Sequence, residues 1–125
     1  MLEGMHHVAV IASDEGKALD FYVNKLGFTV EKETWRPAQQ DYLRMLRLGD
    51  VVIELFIHPN APQRITEPEA LGLRHLAFRV TDITAARDWL NARGIETEPI
   101  HEDTANGGHY VFFRDPDGQP LELHD

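Results

Sequence analysis

Cysteine is absent from this chain of 125 residues. Its absence excludes disulfides, thiolate zinc sites and cysteine nucleophiles together. The chain also lacks any apolar run near the roughly 18 residues that indicate a membrane-spanning helix. Its first five residues contain a glutamate and no basic residue, unlike the start of a secretory signal peptide. These absences predict a cytoplasmic protein with no membrane partner.

Basic residues are scarce in the chain, which has 12 Lys and Arg against 21 Asp and Glu and a formal net charge of −9. Nucleic-acid binding depends on basic patches that neutralise phosphates, so this charge argues against a nucleic-acid partner. A few arginines in a cleft can still attract a small anion. The length predicts a single domain over residues 1–125. We therefore expect the partner to be a small-molecule substrate.

An internal repeat covers nearly the whole chain. Residues 7–10 (HVAV) reappear as residues 75–78 (HLAF), and the matches continue along both copies. Glu54 follows His7 by 47 positions, and Glu122 follows His75 by 47 positions. A random chain would seldom place the same His/Glu pair twice at one separation, so the chain is a duplicated module. Other matched residues are Asp14 and Asp82, Ala18 and Ala86, Gly27 and Gly94, and Tyr42 and Tyr110.

Each copy has the pattern of a β-α-β-β-β module. We therefore predict an α+β fold of two tandem βαβββ modules, whose curved sheets enclose a metal-containing cavity. The first module spans about residues 5–57, a linker with three prolines spans 58–73, and the second module spans about 74–124. Predicted strands are 5–12, 28–32, 42–47 and 51–57, then 74–80, 95–101, 109–114 and 120–124. The first predicted helix is capped by Ser13 or Asp14 and stops at Gly27, and the second is capped by Asp82 and runs through Arg93. The irregular stretches are 33–41 and 102–108.

Strand alternation places the repeated His and Glu on one face of each module. Residues two apart in a strand share a face, so Glu54 opposes the aliphatic Ile53 and Leu55. Glu122 opposes Leu121 and Leu123 in the same way. The aliphatic face is expected to pack on the helix, and the other face to line the cavity. A carboxylate buried there must be paired or bind a metal.

Two His and two Glu make a nitrogen and oxygen site suited to one divalent metal ion. We predict His7, Glu54, His75 and Glu122 as its ligands; zinc, nickel, cobalt, manganese and iron all remain open. Alternatively, Glu54 pairs with Arg44 or Arg79, and His75 bonds a backbone carbonyl. His6 is the rival of His7 but has no repeat partner. The other histidines are predicted to be exposed, namely His58, His101, His109 and His124.

The duplicated module resembles the vicinal oxygen chelate superfamily, which includes glyoxalase I, fosfomycin-resistance thiol transferases, methylmalonyl-CoA epimerase, extradiol dioxygenases and bleomycin-resistance proteins. The four-ligand set is most similar to that of glyoxalase I. This resemblance implies nickel or zinc as the favoured metal and a homodimer with its sites at the subunit interface. The motifs that carry it are residues 6–10, 20–22, 26–28, 52–55, 73–78, 115–118 and 121–123.

A metal held by these ligands would stabilise an enediolate as a Lewis acid while a base removes the proton next to a carbonyl. We expect Glu122 to be that base, with Glu54 assisting or exchanging roles. By resemblance, the reaction is isomerisation of a methylglyoxal–thiol hemithioacetal to a 2-hydroxyacyl thioester. The alternatives are another metalloenzyme of the same fold, such as a dioxygenase or thiol transferase, and a non-catalytic binder of a small molecule.

Two positions depart from the pattern of bacterial glyoxalase I enzymes. Those enzymes generally carry an Arg four residues after the first His ligand and an Asn four residues after the first Glu, to hold glutathione. Here the two positions are Ile11 and His58. The thiol is therefore left open, and so is a small dicarbonyl or diol substrate without a thiol. Arg36, Arg64 and Arg74 are candidates for another anion contact, with a plain surface role as the alternative.

Overall fold

The computed structural model describes residues 1–125 and divides into two compact units, residues 1–62 and 63–125. Each unit holds one copy of the repeat. The first comprises β1 (Val8–Ala12), α1 (Glu15–Leu19), a π-type helix (Asp20–Lys25), β2 (Thr29–Arg36), β3 (Asp41–Leu48) and β4 (Val51–Ile57). The second comprises β5 (Leu76–Arg79), α2 (Ile83–Asn91), β6 (His101–Glu102), β7 (His109–Arg114) and β8 (Pro120–His124). The predicted α+β class and tandem βαβββ architecture are confirmed. No helix is long and apolar enough to cross a membrane.

The two sheets share one topology. The first has the strand order β1-β4-β3-β2, and the second has the matching order β5-β8-β7-β6. In each unit the first and last strands are parallel neighbours, whereas the other pairs are antiparallel. The register pairs Ala9 with Glu54 and Ala77 with Glu122. Each glutamate therefore lies beside an alanine that follows the repeated histidine by two residues.

Equivalent residues begin and end the helix of each copy. Asp14 accepts a hydrogen bond from the backbone N–H of Lys17 at 2.8 Å, and Asp82 accepts one from that of Ala85 at 2.9 Å. These are side-chain caps of otherwise unpaired N–H groups. Gly27 (φ 89°) and Gly94 (φ 76°) follow the helices in the left-handed conformation that glycine adopts readily.

The first copy contains one residue more than the second between these helix boundaries. That residue is accommodated where α1 gives way to the π-type helix, Asp20–Lys25. The N–H of Leu26 donates to the carbonyl of Phe21 at 2.9 Å, which is the five-residue spacing of a π turn. The helix of the second copy, α2, is α-helical throughout. The insertion therefore widens one turn and leaves the following strand in place.

The core of each unit lies under the aliphatic face of its sheet. In the second unit α2 contacts β7 and β8. The buried apolar residues of the first unit include Val10, Phe21, Tyr22, Phe28, Leu46, Ile53 and Leu55. Those of the second include Ile83, Leu90, Ile95, Val111, Phe113, Leu121 and Leu123. The predicted aliphatic faces of β4 and β8 are thus buried.

The prediction of an irregular stretch over residues 33–41 is wrong. Strand β2 continues to Arg36 and pairs with β3 from Asp41, so only residues 37–40 form the turn. Trp35 and Tyr42 face each other across the two strands, with ring centroids 5.0 Å apart. Aromatic and oppositely charged cross-strand pairs stabilise such a hairpin end. This extension brings Arg36 and Asp41 together.

The predicted strand over residues 95–101 is also wrong. Only a bridge between Thr97 and Phe113 and the short β6 pair with β7. Glu98 donates its N–H to the carbonyl of Phe112 at 2.9 Å, but Pro99 follows it and has no N–H to give. The proline therefore interrupts the ladder that the apolar pattern had suggested.

The carboxylate of Asp103 connects His124 of β8 with the turn that follows β6. Its carboxylate contacts Nε2 of His124 at 2.9 Å and accepts hydrogen bonds from the backbone N–H groups of Asn106 and Ala105 at 2.9 and 3.0 Å. The contact with His124 and these bonds lower the pKa of Asp103 from its ordinary value of 3.8 to about 2. The charged form of Asp103 is therefore favoured by folding.

A carboxylate whose pKa is lowered by folding adds stability above its unfolded pKa and loses it as the pH falls. We expect the free energy of unfolding to decrease from about pH 4 towards pH 2, with a shallower slope in Asp103→Asn than in the unmodified chain. Urea unfolding followed by circular dichroism at stepped pH measures this. Asp50→Asn, which removes one carboxylate in an exposed turn, serves as the control. Equal slopes in Asp103→Asn and the unmodified chain would contradict the assignment.

Candidate metal-ligand pairs

In the first unit the repeated His and Glu are in contact. Nε2 of His7 lies 3.3 Å from Oε2 of Glu54. His7 directly precedes β1, and the parallel pairing of β1 with β4 brings it to the glutamate. The neighbours of Glu54 in β4, Ile53 and Leu55, are fully buried, whereas the Glu54 side chain is about one-fifth exposed at 19%. The carboxylate therefore lies on the face opposite the core, with an imidazole as its partner.

The second unit contains the same pair in a more buried form. Nε2 of His75 lies 2.9 Å from Oε2 of Glu122, and Glu122 is only 8% exposed. Phe112, the cross-strand partner of Glu122, packs its ring edge-on to the imidazole of His75 at 5.1 Å. The same two atom types thus meet in both copies of the repeat. A buried carboxylate requires such a partner.

The outer nitrogen of each imidazole is contacted by the preceding residue. Nδ1 of His7 lies 2.8 Å from Nδ1 of His6, and Nδ1 of His75 lies 3.2 Å from Nη1 of Arg74. A guanidinium only donates, so Nδ1 of His75 accepts in this contact and Nε2 carries the proton that faces Glu122. A metal ion bound at Nε2 would take the place of that proton. In both units the orientation directs Nε2 towards the glutamate. His6 therefore has an equivalent in Arg74 by position, although the residue types differ.

The alternative in which Glu54 pairs with Arg44 is wrong. Arg44 is only 6% exposed and forms ion pairs with Glu15 and, at 3.1 Å, with Glu33. His75 likewise contacts a carboxylate and a guanidinium, with no carbonyl contact. Glu54 and Glu122 therefore each contact the repeated histidine of their own unit.

The expectation that the remaining histidines are exposed is wrong for two of them. His58 and His124 are half-buried, and each contacts a carboxylate, Asp41 at 3.2 Å and Asp103 at 2.9 Å. His101 and His109 are exposed, as predicted. The carboxylate partners of the first two lie far away in sequence, which is why the local context suggested exposure.

A charged network that the sequence did not reveal lies on the first sheet. Asp41 accepts two hydrogen bonds from Arg36, at 2.7 and 2.6 Å, and contacts Nε2 of His58. The Arg36 guanidinium lies over the ring of Phe56, 4.6 Å from its centroid. The bond to Arg36 lowers the pKa of Asp41, and the same bond raises the pKa of Arg36, to which the charge of Glu54 also contributes. The wrong prediction of residues 33–41 concealed this network.

Each unit by itself supplies one imidazole nitrogen and one carboxylate. The structure contains no group of three or more His, Cys, Asp or Glu side chains arranged to hold a metal ion. Two ligands bound about 2.1 Å from one ion at angles of 90–110° lie about 3.0–3.4 Å apart. The separations of 3.3 and 2.9 Å are close to that range. Each pair therefore fits half of a four-ligand site for a borderline divalent ion.

Comparison with known proteins agrees with this fold. Residues 4–123 match the Glyoxalase/Bleomycin resistance protein/Dioxygenase superfamily. The chain belongs to this superfamily. The resemblance inferred from the sequence motifs is thereby confirmed at the level of the superfamily.

Some similar proteins of this superfamily carry no assigned activity. The chain is 50% identical to an uncharacterized protein of Bacillus subtilis, YwkD, over all of this chain and 98% of that protein. A glyoxalase family protein from Enterococcus faecalis has a crystal structure with a TM-score of 0.93 and 49% identity, and the match covers 98% of each chain.

Two more distant relatives have named activities. A 2-epi-5-epi-valiolone epimerase from Actinomyces is 30% identical over 95% of this chain and 77% of its own length. A probable lactoylglutathione lyase from Vibrio cholerae is 30% identical over 94% of this chain and 86% of its own length.

Proposed function

We propose that this protein is a divalent-metal-dependent lyase or isomerase of the glyoxalase I type, which converts a methylglyoxal–thiol hemithioacetal to a 2-hydroxyacyl thioester. The observation that carries the proposal is the duplicated contact between a histidine Nε2 and a glutamate Oε2, His7 with Glu54 and His75 with Glu122. The same pair on equivalent strands of both copies favours a shared role in binding.

The ion is proposed to be held by His7, Glu54, His75 and Glu122. Because each unit offers two ligands, both kinds of pair are needed to complete the coordination of one ion. The pairs can come from one chain or from two chains of a homodimer, and the homodimer is our proposal. Nitrogen and oxygen ligands suit nickel or zinc, with cobalt, manganese or iron as alternatives.

When bound, the ion supplies Lewis-acid polarisation to adjacent oxygens of the substrate. The proton transfer is assigned to the protein. The Glu122 side chain is more buried than that of Glu54, 10% against 19% exposed, and its strand neighbours Leu121 and Leu123 are buried. A carboxylate in a site from which water is excluded can remove a proton from carbon and return it without losing it to solvent. Glu122 is therefore our proposed base, with Glu54 assisting.

In the proposed reaction Glu122 removes the proton from the carbon that bears the sulfur and returns it to the neighbouring carbon. The hydroxyl proton moves to the oxygen of that second carbon, so the hemithioacetal and the thioester have the same atoms. The similarity to the probable lactoylglutathione lyase of Vibrio cholerae supports this reaction.

A second candidate is a metal-dependent epimerase. Similarity to the 2-epi-5-epi-valiolone epimerase favours it, with the same 30% identity as the lyase. An epimerase would use the same carboxylates to remove a proton from one carbon and return it to the opposite face. Deuterium incorporation from heavy water without isomerisation would distinguish this reaction from the lyase reaction.

The proposed reaction does not specify glutathione as the thiol. The side chain of Ile11 is about half exposed and apolar, and the His58 ring is engaged with Asp41 at 3.2 Å. These two positions therefore do not present the Arg and Asn that the resemblance would require for glutathione. A different thiol satisfies the same chemistry at the carbonyl carbon.

The symmetric ligand set predicts that His7→Ala and His75→Ala weaken metal binding to a similar extent. We expect a loss greater than about 100-fold, because outer contacts of metal ligands alone contribute about 10–100-fold. Calorimetric titration of the purified protein with nickel and with zinc measures the affinity. His109→Ala removes an exposed histidine outside both pairs and serves as the control. Loss in only one of the two ligand variants would rule out a symmetric site.

The assignment of Glu122 as the base predicts that Glu122→Gln lowers kcat for thioester formation by at least about 100-fold, since proton transfer of this kind contributes 10²–10⁴-fold. The assay uses metal-loaded protein, methylglyoxal and a panel of thiols that includes glutathione and cysteine. Glu31→Gln, which removes one partner of an exposed ion pair with Arg47, is the matched control. Full activity of Glu122→Gln, or no thioester with any thiol, would contradict the proposal.

A further inference from the structure

The second unit contains a cavity of about 500 Å³ on the face of the sheet that carries Glu122. Phe112 lines the cavity, pairs with Glu122 across the strands and contacts the ring of His75. The cavity is also lined by residues 64–66 and 69–72, which precede β5, and by Arg74. The volume lies within the range of about 300–1,000 Å³ that is usual for small-molecule sites. His75 and Glu122 do not line the cavity themselves, but two residues that do, Phe112 and Arg74, contact the ring of His75. The cavity therefore lies next to the side chains proposed to carry out the reaction.

The residues that line the cavity carry a net positive charge, opposite in sign to the net charge of the chain. Three arginines line the cavity, Arg64, Arg74 and Arg114, against two glutamates, Glu69 and Glu98, whereas the whole chain has a net charge of −9. A local excess of positive charge in an acidic protein attracts small anions to one place.

Two of these guanidinium groups are not neutralised by a carboxylate. Arg64 donates to neutral groups only, the side-chain oxygen of Gln119 at 2.8 Å and the carbonyl of Arg74 at 3.3 Å. Arg114 is exposed at the end of β7 and forms no ion pair. Two hydrogen bonds fix Arg64, whereas Arg114 has its donors available. Arginine donors of this kind match the paired oxygens of a carboxylate or phosphate.

Arg74 has a different role at the inner end of the cavity. Its Nε donates to Glu69 at 2.7 Å, its Nη1 contacts Nδ1 of His75 at 3.2 Å, and its guanidinium lies 5.8 Å from the ring centroid of Phe112. Its charge is thus balanced by Glu69. Arg74 forms the boundary between the cavity and the His75–Glu122 pair, and leaves anion binding to Arg64 and Arg114.

We propose that this cavity binds the anionic group of the substrate, a carboxylate or a phosphate, between Arg64 and Arg114 while the reacting carbon lies at Glu122. The inference rests on the proposed function and specifies its substrate class as an acidic thiol adduct or an acidic carbonyl compound. The apolar part of that substrate packs on Tyr110 and Phe112. This arrangement supplies recognition that Ile11 and His58 do not provide.

The test uses the full-length, metal-free protein labelled with ¹⁵N, so that binding is measured independently of activity. The probes are 3-mercaptopropionate, its neutral analogue 3-mercaptopropan-1-ol, and inorganic phosphate. We expect at least one anion to shift the amide signals of Tyr110 and Phe112, and the neutral thiol to leave them unchanged. The anion that binds with the higher affinity shows whether the anionic group of the substrate is a carboxylate or a phosphate. No shift with either anion, or equal shifts with the neutral thiol, would overturn the proposal.

Arg114→Gln is expected to weaken the binding of the anion about tenfold, as the loss of one charge-assisted hydrogen bond does. Arg114 is exposed, so this variant should keep its fold. Arg87→Gln, on α2 outside the cavity, is the matched control because Arg87 pairs only with its neighbour Asp88. An equal loss of affinity in both variants would show a general charge effect and contradict the site.

The thioester assay separates this inference from the proposed function. Thioester formation from 3-mercaptopropionate and methylglyoxal should show a KM raised about tenfold in Arg114→Gln, with no such change for the neutral thiol. Thioester formation without anion binding in the cavity would overturn the cavity alone. Anion binding without a thioester from any thiol would support the cavity and overturn the proposed lyase.

Discussion

The parallel pairing of the first and last strands of each module is the constraint on which the position of each His–Glu pair depends. Parallel neighbours need a long connection, and here that connection is a helix and two further strands. The connection separates the repeated His from the repeated Glu by 47 positions, and the register then brings them within 3.3 Å in one unit and 2.9 Å in the other. A shift of one residue would turn each glutamate into the aliphatic core. The equal His-to-Glu spacing in the two copies therefore reflects the same strand register in both units.

The second determinant is the contrast between the two faces of β4 and β8. Ile53, Leu55 and Leu121 are fully buried, and this burial holds the sheets on their cores. The intervening glutamates then lie on the opposite face, where each needs a partner of its own. In both units that partner is the histidine just before the first strand. The packing of the core and the placement of the two glutamates on the opposite face are thus two consequences of one alternating pattern.

Outside the pairs the two units have diverged. The first sheet has a closed network in which Asp41 binds Arg36 and contacts His58, so that its charges are satisfied internally. The second has an open cavity in which Arg64 and Arg114 lack carboxylate partners. The proposed division of work follows from this difference, because only unsatisfied donors can bind an anion from solution. In this proposal the half-site that both copies share binds the ion, whereas the surroundings that differ between the copies select the substrate.

The sequence by itself determined the duplicated βαβββ architecture, the helix cap at Asp82, and the pairing of each histidine with its glutamate. These features depend on the local alternation of apolar residues and on capping and turn residues, and each of these signals occurs in both copies of the repeat. The structure selected Asp14 over Ser13 as the first helix cap. Only the tertiary structure decided the extension of β2 to Arg36, the loss of the strand around Pro99, and the partners of His58 and His124. The carboxylate partners of the two histidines lie 17 and 21 positions away along the chain, so the local pattern does not predict these contacts. The extension of β2 depends on side-chain pairs that meet across the hairpin, which the alternation within one strand does not show. The sequence also did not predict the arginine-lined cavity. Arg64, Arg74 and Arg114 line one cavity only because the fold brings the segment before β5 close to β7.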